Sequence, residues 1–273
     1  MDAGLQAAVA GRYTVEREIA RGGMATVHLA RRVDSGMQVA IKLLRPEFAR
    51  VVGAERFHRE AAVLGTLDHP NILPLIESGQ AGALPFYVMP YAEGASLRDR
   101  LVREPRLPLA DVLSITAGVA AALDYAHAHN IIHRDIKPDN ILFRDDRPAV
   151  SDFGIARAII RAGGESLSSS GLIPGTPHYM SPEQAGQVEE LDGRSDIYSL
   201  GCMIYEMLAG EPPFHGATVQ AILARHIAGS PPSLRVVRPD VPTALERAVM
   251  QALAKQPAER PSNGAELIQA MTR

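Results

Sequence analysis

Apolar and polar positions alternate with a period of two in three short runs, 13–19, 25–30 and 37–44, the last two separated by Asp34-Ser35-Gly36. Alternation broken by turn residues predicts an antiparallel meander. At 55–67 the period lengthens to that of a helix, with Phe57, Ala61, Leu64 and Leu67 on one face. Asp68-His69-Pro70-Asn71 ends that helix, and strands are expected at 72–78 and 85–90. After Glu93-Gly94-Ala95-Ser96 the pattern changes. A long helix is expected at 109–129, with Leu113, Ile115, Val119, Leu123 and Ala126 as its core residues. Short strands at 141–143 and 149–151 flank an Asp145-Asp146-Arg147 turn, and a mostly apolar helix covers 195–210 until Glu211-Pro212-Pro213-Phe214 breaks it. Two or three further helices follow, with Asn263 and Glu266 spaced as a cap for the last. Strands first and helices afterwards describe an α+β chain, with a small strand-rich part ahead of a larger helical one.

Composition narrows the field without naming a function. The 273 residues are 46% hydrophobic and 22% charged, as in ordinary globular proteins. A formal net charge of -3 gives no global attraction for nucleic acid or anionic membrane, and no nucleic-acid motif or internal repeat is present. The single cysteine, Cys202, rules out an internal disulfide, fits a reducing compartment and lies among apolar neighbours as a buried thiol would. The first residues lack the basic region of a secretory signal, and no apolar run approaches membrane-spanning length. A soluble, cytoplasmic chain is the expectation.

The chemistry concentrates in His133-Arg134-Asp135-Ile136-Lys137-Pro138-Asp139-Asn140 and, one short strand later, Asp152-Phe153-Gly154. Any one of these polar residues alone would be an ordinary loop residue. As a set they suit phosphoryl transfer: Asp135 can accept a hydroxyl proton, Asn140 and Asp152 offer oxygens to a hard cation, and Lys137 can neutralise phosphate charge. Asp145 and Asp146 are more simply turn residues. His127 and His129 read as surface histidines at a helix C-terminus, favoured there by the dipole.

These residues resemble the catalytic loop and metal-binding turn of the protein kinase family, with Ile136 in place of its usual leucine. Val39-Ala40-Ile41-Lys42 matches the family's third-strand motif residue for residue. The resemblance implies a bilobal fold formed as one kinase domain over 1–273. Its small antiparallel-sheet N-lobe, with one main helix, would cover about 13–92, and its mainly helical C-lobe about 93–273. It also implies that Lys42, paired with Glu60, holds the α- and β-phosphates of ATP. Ala20, Arg21, Gly22, Gly23, Met24 and Val27 would form the loop over the phosphates, with Ala20 and Ala25 standing where the family has its outer glycines; a stiffer loop that still binds nucleotide is expected. Ala40, Met89, Pro90, Ala92 and Leu142 would surround the adenine. Pro90 can serve there because only its carbonyl is required. Mg²⁺ on Asn140 and Asp152 is the implied metal, with Mn²⁺ as a substitute.

The stretch 154–183 is Gly- and Ser-rich and resembles the family's activation segment, closing with Ser181-Pro182-Glu183. Thr176 with Lys137 is the combination of serine/threonine kinases, which implies protein substrates. Ser168 and Ser170 lie where related bacterial-type kinases are phosphorylated, with Arg134 as the receiver of the phosphate and self-association as the route for modification in trans. By the same resemblance Asp196 anchors the catalytic-loop backbone and Arg260 pairs with Glu183. A pseudokinase scaffold, a small-molecule phosphotransferase and a nucleotide-binding structural protein are the rival readings.

Overall fold

The computed structural model describes residues 3–52, 54–153, 176–188 and 190–273; within them the side chains of 3, 51, 52, 54, 56 and 60 lie outside the description. The chain divides into two compact units between Ala92 and Glu93.

The first unit is a five-stranded antiparallel sheet in the order β1-β2-β3-β5-β4, built from β1 (Tyr13–Arg21), β2 (Ala25–Arg32), β3 (Gln38–Leu44), β4 (Glu77–Ala81) and β5 (Leu84–Pro90). Val39, Ile41, Leu43, Phe86 and Val88 pack into one buried cluster with Leu5 and Val9 of a helix, α1 (Ala3–Val9). The alternation of these strands therefore puts Ala40 and Lys42 on the opposite face. The hydrophobic pattern gave no notice of α1, whose buried contribution is the single i, i+4 pair Leu5 and Val9. Gln6 fixes it to the edge strand, its side chain accepting from Val15 N at 2.8 Å and donating to Tyr13 O at 3.4 Å.

Two helices follow β3, α2 (Pro46–Val52) and α3 (Ala54–Leu64). Only the second was expected. Pro46 at the first helical position and Glu47 in the first turn are the signals that mark α2. The expected strand at 72–78 is not formed as such, since ladder pairing begins only at Glu77. Pro74 in its middle has no N–H to give to a ladder.

The second unit is mainly helical: α4 (Leu97–Arg103), α5 (Leu109–Ala128), α6 (Pro182–Ala185), α7 (Arg194–Ala209), α8 (Val219–Ala228), α9 (Leu234–Val237), α10 (Thr243–Ala252) and α11 (Gly264–Thr272), with one hairpin of β6 (Ile141–Arg144) and β7 (Arg147–Val150). Asp145 and Asp146 both adopt positive φ, 50° and 59°, as a two-residue hairpin turn requires. Helix α7 is buried on all sides from Ser195 to Ala209 and ends on Gly210 at φ 92°, a left-handed cap that glycine takes without strain.

Helix α5 overturns two expectations. At 20 residues it is long and apolar enough to cross a membrane by length and composition alone. Its apolar side is instead occupied within the unit, where it packs on α7, α11 and β7 with Val112, Ile115, Val119, Leu123 and Ala126 buried. Val112 and Thr116 take the core place expected of Leu113, which is only half-buried.

Candidate active site

In the first unit, strand register assembles one group of the expected residues. Val27 lies opposite Lys42 on β2 and β3, Ala40 opposite Met89 on β3 and β5, and Tyr87 opposite Lys42 from the other side. Directly opposed residues share a face, so Val27, Ala40, Lys42, Tyr87 and Met89 line the face left free of the α1 cluster. Lys42 Nζ stands 6.0 Å from the centroid of the Tyr87 ring.

The β1–β2 turn is closed by Gly22 N donating to Ala25 O at 2.9 Å, while Arg45 N donates to Met24 O at 3.0 Å. Gly22 and Gly23 are exposed and Met24 is half-buried. Ala20 pairs with Val27, and the exposed Arg21 bonds Glu18 through two nitrogens at 2.9 and 2.7 Å. Pro90 lies opposite Val39, Tyr91 N donates to Gln38 O at 3.2 Å, and Ala92 is the last residue before the second unit begins. The side chain of Glu60, Ser168, Ser170 and the stretch 154–175 lie outside the described residues.

In the second unit the catalytic stretch has little regular structure, so hydrogen bonds from neighbouring elements hold it. His133 is fully buried, and its Nε2 lies 2.8 Å from Ser151 O while Asp135 N donates to its Nδ1 at 3.2 Å. A carbonyl only accepts and an amide N–H only donates, so the ring is the neutral tautomer with its proton on Nε2. The same ring meets Phe153 edge-on at 4.6 Å. Ser151 returns the connection, donating from N at 2.9 Å and from Oγ at 3.2 Å to Asn140 O. Asp152, half-buried at φ 65°, is therefore fixed by residues on both sides to the stretch that carries Asp135 and Asn140. Leu142 pairs with Ala149 in the hairpin and bridges to Ser96.

Around Asp135 the polar groups converge. Lys137 Nζ lies 2.8 Å from Asp135 Oδ2 and donates to Thr176 Oγ1 at 2.9 Å. Asn140 Nδ2 donates to Asp135 O at 2.7 Å and to Asp135 Oδ2 at 3.2 Å. With its NH₂ so committed, the end of Asn140 that remains for a cation is the oxygen, Oδ1. An amide oxygen and the Asp152 carboxylate are the donors that a hard divalent ion takes, so the residues present fit such an ion.

Asp196, at the start of α7, supports the loop from below. Its fully buried carboxylate accepts from His133 N at 2.8 Å, from Arg134 N at 2.8 Å and from His127 Nε2 at 2.7 Å. Burial opposes ionisation of Asp196, but the hydrogen bond and charge of His127 prevail and hold its pKa below the usual carboxylate range. His127 responds in the opposite sense: burial works against its cation, and Asp196 overrides this to raise its pKa. This corrects the surface reading of His127, whose partner is 69 residues away in sequence. His129 is exposed, as expected.

Beyond Thr176, α6 is anchored by Glu183, which receives both terminal nitrogens of Arg260 at 2.7 Å each. Burial raises the Glu183 pKa, but Arg260 and Ser195 more than offset this and lower it. One group escaped sequence reasoning altogether. Arg98 of α4 bonds Glu206 of α7 at 2.7 Å and the Tyr179 hydroxyl, and reaches Asp139 at 3.5 Å. The signal was Glu206 itself, a carboxylate in the apolar second half of α7, which burial obliges to find a partner.

A loop that holds a carboxylate, a lysine and an amide around one point, with a second aspartate tied to it through Ser151, is the arrangement expected of a protein kinase catalytic loop. The chain belongs to the protein kinase family, whose protein kinase domain model matches residues 13–272. Among curated relatives, it is 41% identical over 264 residues to the serine/threonine-protein kinase PknB of Mycolicibacterium smegmatis, covering 94% of this chain and 42% of that protein. It is 40% identical to a probable serine/threonine-protein kinase PknB of Bifidobacterium longum, over 94% of this chain and 38% of that one. A probable serine/threonine-protein kinase of Streptomyces coelicolor is 38% identical over 90% of this chain and 37% of its own length. The chain thus spans about two fifths of the length of these relatives. The antiparallel sheet unit and the helical unit are those of the bilobal kinase fold. Membership of the family implies use of ATP with a divalent metal.

Proposed function

We propose that this chain is a serine/threonine protein kinase that moves the γ-phosphoryl group of ATP to Ser or Thr hydroxyls of proteins. The observation that carries this reading is Lys137, whose ammonium joins the Asp135 carboxylate at 2.8 Å to the Thr176 hydroxyl at 2.9 Å. The Thr176 hydroxyl beside Lys137 supports a site suited to an aliphatic hydroxyl.

Asp135 orients the acceptor hydroxyl and takes its proton, and Lys137 offsets the charge that develops on the transferred group. Asn140 and Asp152 would hold Mg²⁺, with Mn²⁺ as a substitute, through Oδ1 and the carboxylate. When bound, the ion supplies neutralisation of phosphate charge. Lys42 holds the α- and β-phosphates, with Glu60 as its partner, and the 20–27 turn covers them. Positioning and electrostatics supply most of the rate. Names of the relatives that specify serine/threonine kinases support the hydroxyl specificity. No observation among the described residues favours the pseudokinase alternative.

The test is phosphate transfer from labelled ATP to a generic basic protein in Mg²⁺. Wild type is expected to turn over, while Lys42→Met and Asp152→Ala each lose most activity with an unchanged melting temperature. Retained turnover in either variant contradicts the assignment. Self-association and modification at Ser168 or Ser170 are checked by phosphosite mapping of wild type against Asp135→Asn; an active enzyme left unmodified there refutes that part.

A further inference from the structure

The peptide group joining Arg134 to Asp135 is gripped at both ends. Its N–H donates to His133 Nδ1 at 3.2 Å, a local contact two residues back. Its carbonyl, Arg134 O, accepts from Gln184 Nε2 at 2.8 Å, and Gln184 is 50 residues further along the chain. Arg134 sits at φ 71°, in the left-handed region that a side chain disfavours, so this peptide's orientation depends on what holds it.

Gln184 is itself held in one orientation. Its Oε1 accepts from Ser181 N at 2.9 Å, and its own N donates to Ser181 Oγ at 3.2 Å, which completes a capping box at the start of α6. Ser181 is fully buried and touches Ser195 Oγ at 3.1 Å, and Ser195 donates to Glu183 at 2.6 Å. The amide oxygen therefore faces Ser181, and the NH₂ group has the Arg134 carbonyl as its partner.

A capping box needs only an acceptor at this position, and glutamate provides one as well as glutamine does. Local helix capping does not account for the amide. Only glutamine both caps α6 and donates to the catalytic loop.

We infer that Gln184 is a positioning residue that fixes the Arg134–Asp135 peptide and through it the carboxylate of Asp135. It acts through Asp135 and touches no reacting atom, and it makes the geometry of the catalytic loop depend on the seating of α6. The inference rests on the reading of Asp135 as the base.

The experiment compares wild type and Gln184→Glu, each with and without Asp135→Asn, in the full chain. Gln184→Glu keeps the acceptor for Ser181 N and places a second acceptor against Arg134 O. Because the cap survives, its melting temperature is expected to stay within about 3 °C of wild type. Loss of one hydrogen bond at the reacting geometry is expected to lower kcat roughly tenfold, with KM for ATP changed less than about twofold. In the Asp135→Asn background the same substitution is expected to change residual turnover less than about twofold, since the group it positions is gone. A kcat for Gln184→Glu within twofold of wild type overturns the inference. So does an equal tenfold loss in both backgrounds, or a melting temperature lowered by more than about 5 °C, either of which marks a structural role. A wild-type chain that phosphorylates no protein would instead sink the kinase reading, and that result is seen before any variant is compared.

Discussion

Replacing Asp196 by asparagine tests how far the catalytic loop depends on one buried carboxylate. Asp196 takes three hydrogen bonds, Oδ2 from His133 N and His127 Nε2 and Oδ1 from Arg134 N, all between 2.7 and 2.8 Å. An asparagine has one acceptor oxygen. If that oxygen serves His133 and His127, its NH₂ meets the Arg134 N–H, and a buried donor is stranded at a cost of about 1–3 kcal/mol. The two remaining bonds lose their charge assistance, roughly another 1–2 kcal/mol together. A total of about 4 kcal/mol corresponds to a fall of roughly 8–16 °C in melting temperature for a unit of this size. The stranded N–H belongs to the residue before Asp135, so kcat should drop by at least about tenfold.

The pH dependence carries its own sign. Asp196 has a depressed pKa, so its contribution is present above the unfolded value of about 4 and is lost as pH falls through its lower folded value. His127 has a raised pKa, so its contribution is full below the unfolded value of about 6.5 and is lost as pH rises through its higher folded value. The pair thus stabilises fully between about pH 4 and 6.5 and less above it. Thermal melts from pH 5 to 9 should show this decline in wild type and not in Asp196→Asn. A variant whose melting temperature lies within about 2 °C of wild type, with kcat within twofold, would refute the reasoning.

Glu183→Gln should destabilise by about 2–4 kcal/mol in urea unfolding, because Arg260, with its side chain fully buried, keeps a charge whose anionic partner among the described residues is gone. The depressed Glu183 pKa adds that wild-type stability is lost as pH falls through that folded value, a decline the variant should lack. Thr176→Val removes the hydroxyl bonded to Lys137 at 2.9 Å and should lower kcat about tenfold with little change in KM for ATP, read by steady-state kinetics. Gly193→Ala places a Cβ 2.5 Å from His127 Nδ1, so the imidazole must shift from Asp196; part of the Asp196→Asn loss in melting temperature should appear without any change in that carboxylate.

The residues assigned to the chemistry stood out in the sequence because their types and spacing are scarce: an aspartate, a lysine two on and an asparagine five on seldom occur together before a second aspartate. Resemblance then carried Asp196 and the Glu183–Arg260 pair to their partners, and the structure places both as expected. What periodicity missed is short or distant. Helices α1, α2 and α4 have seven residues each, too few for a periodic signal, although Ser96 and Asp99 form a capping box that announces α4. The last helix was given its cap correctly at Asn263, yet Glu266 turns instead to Ser262 N and Oγ, at 2.7 Å each. His127 and Arg98 were misjudged or passed over because their partners lie 69 and 108 residues away, a separation that no local pattern encodes.

That division has a physical cause. A base, a charge-neutralising lysine and metal-binding oxygens must be particular residue types, so they leave a mark in sequence. The task of holding them can be met by any donor or acceptor that arrives at the right point. Arg134 and Asp152, at φ 71° and 65°, each carry backbone strain of about 1–3 kcal/mol. Asp196 and Gln184 grip the peptides around the first, and His133 bonds to the residue before the second and packs on the residue after it. Each such bond contributes about 1 kcal/mol net, more where Asp196 brings charge, so removing one leaves strain and support nearly balanced. The active conformation of this loop therefore has a narrow margin set by α6 and α7, and residues that never meet the substrate should decide whether Asp135 is in place.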